Sequence, residues 1–154
     1  MMNKKGIGIL LLSLALLLMA AGYAYSEYAV PGCRKSHDHA LARAQAFVDA
    51  VNANDPAQVY RYLSKDIRLL IDQEGFVGNF AKERSYPYLT PLYLYVHSLD
   101  LVENRMSGTL TCIVAARLPG QTMSFPVVFE DGDYYIEAFR DIADGSFLDK
   151  FSKL

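Results

Sequence analysis

The sequence predicts an α+β fold: N-terminal helices packed on a strongly bent antiparallel sheet, preceded by one transmembrane or signal helix. Three observations predict it. Apolar residues recur at helical spacing in the first half of the domain. From Leu92 to Arg140 the chain alternates with period two and is broken by short turns. Gly6 to Ala24 is a run of 19 residues without a charge.

The uncharged run comes first. As a helix it would span roughly 28 Å, close to the thickness of a bilayer core. Lys4 and Lys5 precede it, and Tyr23, Tyr25 and Tyr28 follow, the order expected of a positive inner flank and an interfacial aromatic belt. Residues 1–24 are therefore read as a signal anchor. A cleaved signal peptide ending at Gly22-Tyr23-Ala24 is one alternative. A lipoprotein acylated on Cys33, behind Val30-Pro31-Gly32, is another. All three put the domain outside the cytoplasm. Residues 25–35, with Pro31 and Gly32 as breakers, read as a linker, and 36–154 as one domain.

Ser36 is a helix cap, with Asp38 in the first turn where the dipole favours it. Leu41, Ala44, Phe47, Val48 and Val51 then form an apolar stripe, with Phe47 at its centre. Asn52-Ala53-Asn54 ends that helix. Asp55-Pro56 starts the next, Asp as cap and Pro at the first helical position. Val59, Tyr60 and Leu63 give it a buried side. Ile67 to Ile71 reads as a short strand, Glu74 to Arg84 as an amphipathic helix, and Tyr86 to Pro91 as a loop.

Four strands follow. In the first, Leu92–Val102, Tyr93, Tyr95, His97, Leu99 and Leu101 share one face, read as inward. In the second, Leu110, Cys112, Val114 and Ala116 make the apolar face, with Thr109, Thr111 and Arg117 opposite. Leu118-Pro119-Gly120-Gln121 fits a type II turn. The third strand, Thr122–Glu130, contains Pro126, which cannot donate to a ladder, so a bulge is expected at Phe125-Pro126. Glu130-Asp131-Gly132-Asp133 is a hairpin joint whose Asp-Gly centre tolerates the positive φ of a type I′ turn. The last strand has apolar bulk on both faces: Tyr134, Ile136 and Ala138 against Tyr135, Glu137 and Phe139. Ile142 to Leu154 reads as a terminal helix.

This order, with Ala46-Phe47-Val48-Asp49-Ala50-Val51-Asn52-Ala53-Asn54-Asp55, then Val59 to Leu63, then strands ending near Phe139, resembles the nuclear transport factor 2-like fold. That is a cone in which a curved sheet wraps a long first helix. The resemblance covers roughly residues 38 to 141. It implies an architecture and no single activity, because the fold hosts enzymes, ligand carriers and assembly modules. Membrane-anchored members occur among bacterial envelope proteins, including scaffold subunits of type IV secretion machines.

Residues 34–154 keep 13 of the 15 Lys+Arg and 16 of the 17 Asp+Glu, a net charge of −3 with no basic stripe. That argues against a nucleic-acid partner. No metal or cofactor motif is present, and His37 and His39, two apart on a helix, do not share a face. Cys112 is expected to be a buried free thiol; a disulfide with Cys33 is the alternative in an oxidising compartment. His97 is the one candidate general base, with Glu137 as its carboxylate partner. Tyr60, Tyr93, Tyr95, His97 and Arg117 are candidate ligand-binding residues, since tyrosine offers apolar area with a polar tip. The expectation is a non-catalytic, extracytoplasmic binding or assembly module of a bacterial cell envelope. It would be held in the membrane by residues 6–24, with a protein or small apolar ligand as partner and a homodimer through the sheet open to it. The alternative is a lyase or isomerase working through His97.

Overall fold

The computed structural model describes residues 35–85, 93–115 and 120–151, the last two without their side chains. The anchor run, residues 25–34 of the linker with Cys33, the Tyr86–Pro91 loop, Ala116, Arg117 and Leu118-Pro119 lie outside the described residues. Among the described residues, no helix is long and apolar enough to cross a membrane.

Helix α1 (His37–Asn52) begins where Ser36 predicts. Its Oγ accepts a hydrogen bond from His39 N at 3.1 Å. The buried stripe is Ala40, Ala44, Phe47, Val48 and Val51, at i, i+4, i+7, i+8 and i+11. Leu41 stands one position off that stripe and is exposed, so Ala40 takes the place expected for it. Asn54, at φ 54°, reverses the chain, and the Asp55 carboxylate caps α2 (Pro56–Arg61) by accepting from Gln58 N at 3.1 Å. Asp72 caps α4 (Gln73–Arg84) in the same way through Gly75 N.

Between α2 and α4 the expected strand at Ile67–Ile71 is absent. A single turn, α3 (Lys65–Arg68), takes its place. The reason is that Tyr62–Ser64 already occupies the strand position. Ser64 N donates to Ile136 O at 3.0 Å, and Ile136 N donates to Tyr62 O at 2.8 Å.

The sheet runs β1 (Leu94–Leu101), β2 (Ser107–Val114), β3 (Thr122–Glu130) and β4 (Asp133–Ile136), all antiparallel and in sequence order. It is strongly curled, a four-stranded half-barrel. Asp131 at φ 48° and Gly132 at φ 84° make the expected type I′ joint. At Gly108 the constraint is space: a Cβ there would lie 2.4 Å from Asp100 O.

The bulge falls on a different strand from the one expected. β3 pairs with β2 without a break through Phe125 and Pro126. Pro126 lies opposite Glu137, just beyond β4, and accepts from Glu137 N at 2.9 Å. The return bond that proline cannot donate is therefore missing only at the open end of the shortest strand. The bulge sits on β1 instead. Val96 faces Cys112 and Ser98 faces Thr111, so His97 is the extra residue. An extra residue inverts the alternation. Leu94 and Val96 point inward before it, Leu99 and Leu101 after it, and Tyr95 and His97 point outward. The inward reading of Tyr93, Tyr95 and His97 is corrected accordingly.

β4 resolves its two-faced pattern plainly: Tyr134, Ile136 and Ala138 are buried. The expected terminal helix is two short ones, α5 (Arg140–Asp144) and α6 (Phe147–Phe151), parted by Gly145 at φ 81°.

Helix α1 lies in the concave face of the sheet, against both β1 and β4. Phe47 is fully buried there, its ring 5.8 Å from Phe125 and 6.1 Å from Phe139 between centroids. Phe139 reaches Phe80 at 5.5 Å, and Phe76 continues the chain of rings to Tyr60. Phe139 has φ 57°, a left-handed conformation that costs a bulky residue about 1–3 kcal/mol. Its packing on three other rings holds it there. Phe47→Ala should therefore cost about 3–5 kcal/mol. Denaturant unfolding will read this as a large fall in midpoint; an unchanged midpoint would mean that α1 does not fill the curl.

Candidate functional site

The side chains of α1 divide between the two edges of the sheet. His37 Nε2 lies 3.0 Å from Leu99 O on the free edge of β1. Asn52, at the other end of the helix, donates to Leu94 O and accepts from Leu94 N, both at 2.8 Å. On the opposite edge, Asp133 Oδ1 accepts from His39 Nε2 and from Tyr134 N, both at 2.8 Å; Arg43 Nε donates to Tyr134 O at 3.2 Å and forms an ion pair with the same carboxylate oxygen at 3.3 Å. The two histidines thus diverge as their spacing predicts, one to each edge.

Arg43 also stacks. Its guanidinium lies 4.6 Å from the Tyr62 ring and 5.4 Å from Tyr135, and Arg68 covers Tyr135 at 4.7 Å. This layered set centres on the Asp133 carboxylate. It ties α1, α2 and α3 to β4, a structural use of a His–Asp pair. The sequence hint for it was His39 and Arg43 at i, i+4 beside the apolar stripe; the partner, 94 residues on, left no hint.

The catalytic candidates are not brought together. His97 is exposed on the outer side of β1, and its side chain has no hydrogen bond or ion pair among the described residues. Glu137 follows β4, three strand spacings away, about 14 Å along the sheet. No general base is oriented by a second group in that arrangement. Tyr60 is half-buried and donates to Ile71 O at 2.9 Å, so its hydroxyl is spoken for. Among the described residues no His, Cys, Asp and Glu cluster could hold a metal ion.

Between α1 and the free edge of β1, His97, Val96 and the α1 residues Asp38, Leu41, Ala42 and Gln45 line an open groove of about 630 Å³. Beside it stands an apolar patch. Tyr95 and Ile113 are cross-strand partners, 60% and 40% exposed, with Tyr93 exposed next to them. They lie where β1 starts and β2 ends, at the end of the sheet away from the two tight hairpin turns.

No protein-family model matches this chain, and comparison with curated proteins finds no match.

Two of the described groups have their pKa values raised by burial. Burial raises the Tyr134 hydroxyl, which donates to Arg105 O at 3.0 Å, and the Arg105 charge offsets part of the rise. Burial pushes the Cys112 thiol from 9.0 up to about 11; it is fully buried and free. Between those values an unfolded chain gives up the thiol proton while the folded chain keeps it. Stability therefore falls as pH rises from about 9 towards 11. The stability gap between the wild type and Cys112→Ala should shrink across that window in denaturant titrations. A gap independent of pH would place the thiol in water.

Proposed function

We propose that this chain is a non-catalytic binding module with a nuclear transport factor 2-like cone, held at the outer face of a bacterial cell membrane by residues 6–24. It engages a partner protein through the outside of its sheet, at Tyr93, Tyr95 and Ile113. The observation that carries this reading is where the apolar surface is spent. Phe47, Phe76, Phe80, Phe125 and Phe139 pack the concave side that a ligand carrier or enzyme of this shape would keep open. Large apolar side chains are instead left exposed as a cross-strand pair on the convex side. Aromatic residues with one polar atom, standing clear of solvating charges, are the usual anchors of protein interfaces.

The test is site-directed photo-crosslinking of the full chain in its own cells. A crosslinker at Tyr95 or Ile113 should give a discrete adduct; one at the exposed Glu74 on α4 should not. Ile113→Lys should remove the adduct formed at Tyr95. His97→Gln keeps size and hydrogen bonding but loses the titratable proton, and should leave both adduct yield and melting temperature unchanged. Equal yields at all three positions would contradict the proposed surface. Loss of cellular function in His97→Gln with the fold intact would favour acid–base chemistry instead.

A further inference from the structure

The free edge of β1 is closed at two points and open between them. Asn52 takes both outward backbone groups of Leu94, and His37 takes Leu99 O. Outward groups recur at every second residue of an antiparallel edge. Val96 is therefore the next residue after Leu94 to turn its N–H and C=O outward. It pairs with Cys112 ahead of the bulge, so the extra residue does not change its phase. Among the described residues neither group has a partner on that edge. The window from Leu94 to Leu99 is about 16 Å long, room for about five extended residues.

Helix α1 leaves the same window uncovered. Leu41, Ala42 and Gln45 face Val96 and His97 across the groove of about 630 Å³. None of these three helix side chains hydrogen-bonds to β1 among the described residues; Gln45 turns to Asp49 instead, at 2.9 Å. Leu41 and Ala42 are exposed and give the groove an apolar wall. Its charge has one sign. Asp38 lines it with its carboxylate fully exposed, and no lysine or arginine does. Asp49 on α1 and Asp100 on β1 stand exposed to either side. A donor and an acceptor side by side on a strand edge are matched by another extended backbone, since a helix uses its own groups internally.

We propose that this groove takes an extended peptide segment of a partner protein as a further strand beside β1. The segment pairs its backbone with Val96. It lays an apolar side chain on Leu41 and Ala42 and brings a lysine or arginine to Asp38. The site borders the surface at Tyr93, Tyr95 and Ile113 and stands independently of it, because its hydrogen bonds come from the edge and not from the outer face.

The full chain in detergent micelles is screened against random octapeptides displayed on phage. Selected sequences should carry a lysine or arginine and an apolar residue. The leading peptide is then synthesised with one backbone nitrogen methylated at a time. Methylation at alternate residues should weaken binding at least about tenfold and at the residues between them by less than about twofold, because an added strand turns every second N–H to its neighbour. Val96→Pro removes the outward N–H without touching the ladder to β2 and should abolish binding at an unchanged melting temperature. Ala42→Glu, on exposed helix surface, should weaken binding as strongly, and Ile113→Lys should leave it as it is. A library that yields no binder, losses at consecutive methylated residues, or full binding by Ala42→Glu overturns the proposal. Loss of binding in Ile113→Lys also overturns it, by moving the peptide to the outer face, and leaves the Tyr95–Ile113 surface standing.

Discussion

Everything described in this domain depends on α1 being clasped between the two edges of one curled sheet. The helix and the strand match in length, since 16 helical residues rise about 24 Å and eight extended residues rise about 27 Å. His37 and Asn52 stitch the helix to β1 near its two ends; His39 and Arg43 stitch it to β4. Those ties also manage the sheet's edges. An open edge is a template for unwanted pairing. On β1, Asn52 and His37 occupy backbone groups and a bulge interrupts the run; on β4, Tyr62–Ser64 covers the edge as a short parallel bridge. One set of side chains both seats the helix and blunts the sheet.

The clasp has a consequence for function. With Phe47 driven into the curl, the concave side becomes an aromatic core rather than a pocket, and Phe139 is held in a left-handed conformation by the rings around it. Among the described residues, aromatic side chains fill that side. On the outside, the strand direction separates two surfaces. The end of the sheet where β1 starts exposes Tyr93, Tyr95 and Ile113, and the hairpin end exposes Leu69 beside Lys65, Arg68 and Asp131.

How far the sequence foretold this follows from which forces are local. The Ser36 and Asp55 caps, the Asp-Gly turn, the burial of Phe47 and of Cys112, and the order of the first two helices and the four sheet strands are legible, because each shows in residues a few positions apart. The face of β1 is not. Leu94 and Val96 are followed, one residue out of phase, by Leu99 and Leu101, and the inserted His97 is visible only from the pairing with Cys112 and Thr111. Continuous alternation through that residue puts Tyr93, Tyr95 and His97 on the inner side, whereas all three are exposed. Pro126 suggested a bulge that β4 made unnecessary by ending early. Ile67–Ile71 looked extended until Tyr62–Ser64 had taken the edge it would have needed. Of the His39–Asp133–Arg43 set, only the i, i+4 pair is visible in the sequence; Asp133 lies 94 residues from His39 and joins it through tertiary packing alone.

Hydrogen–deuterium exchange resolved by residue tests the clasp most directly. If α1 is the filling of the sheet, amides from Ala44 to Val51 exchange only when the whole domain opens, at the same slow rate as those of Leu110 and Cys112 in β2, and with the same dependence on denaturant. If α1 exchanges faster than β2 by local opening, the helix is a lid over a space, and the concave side returns as the place to look for a ligand.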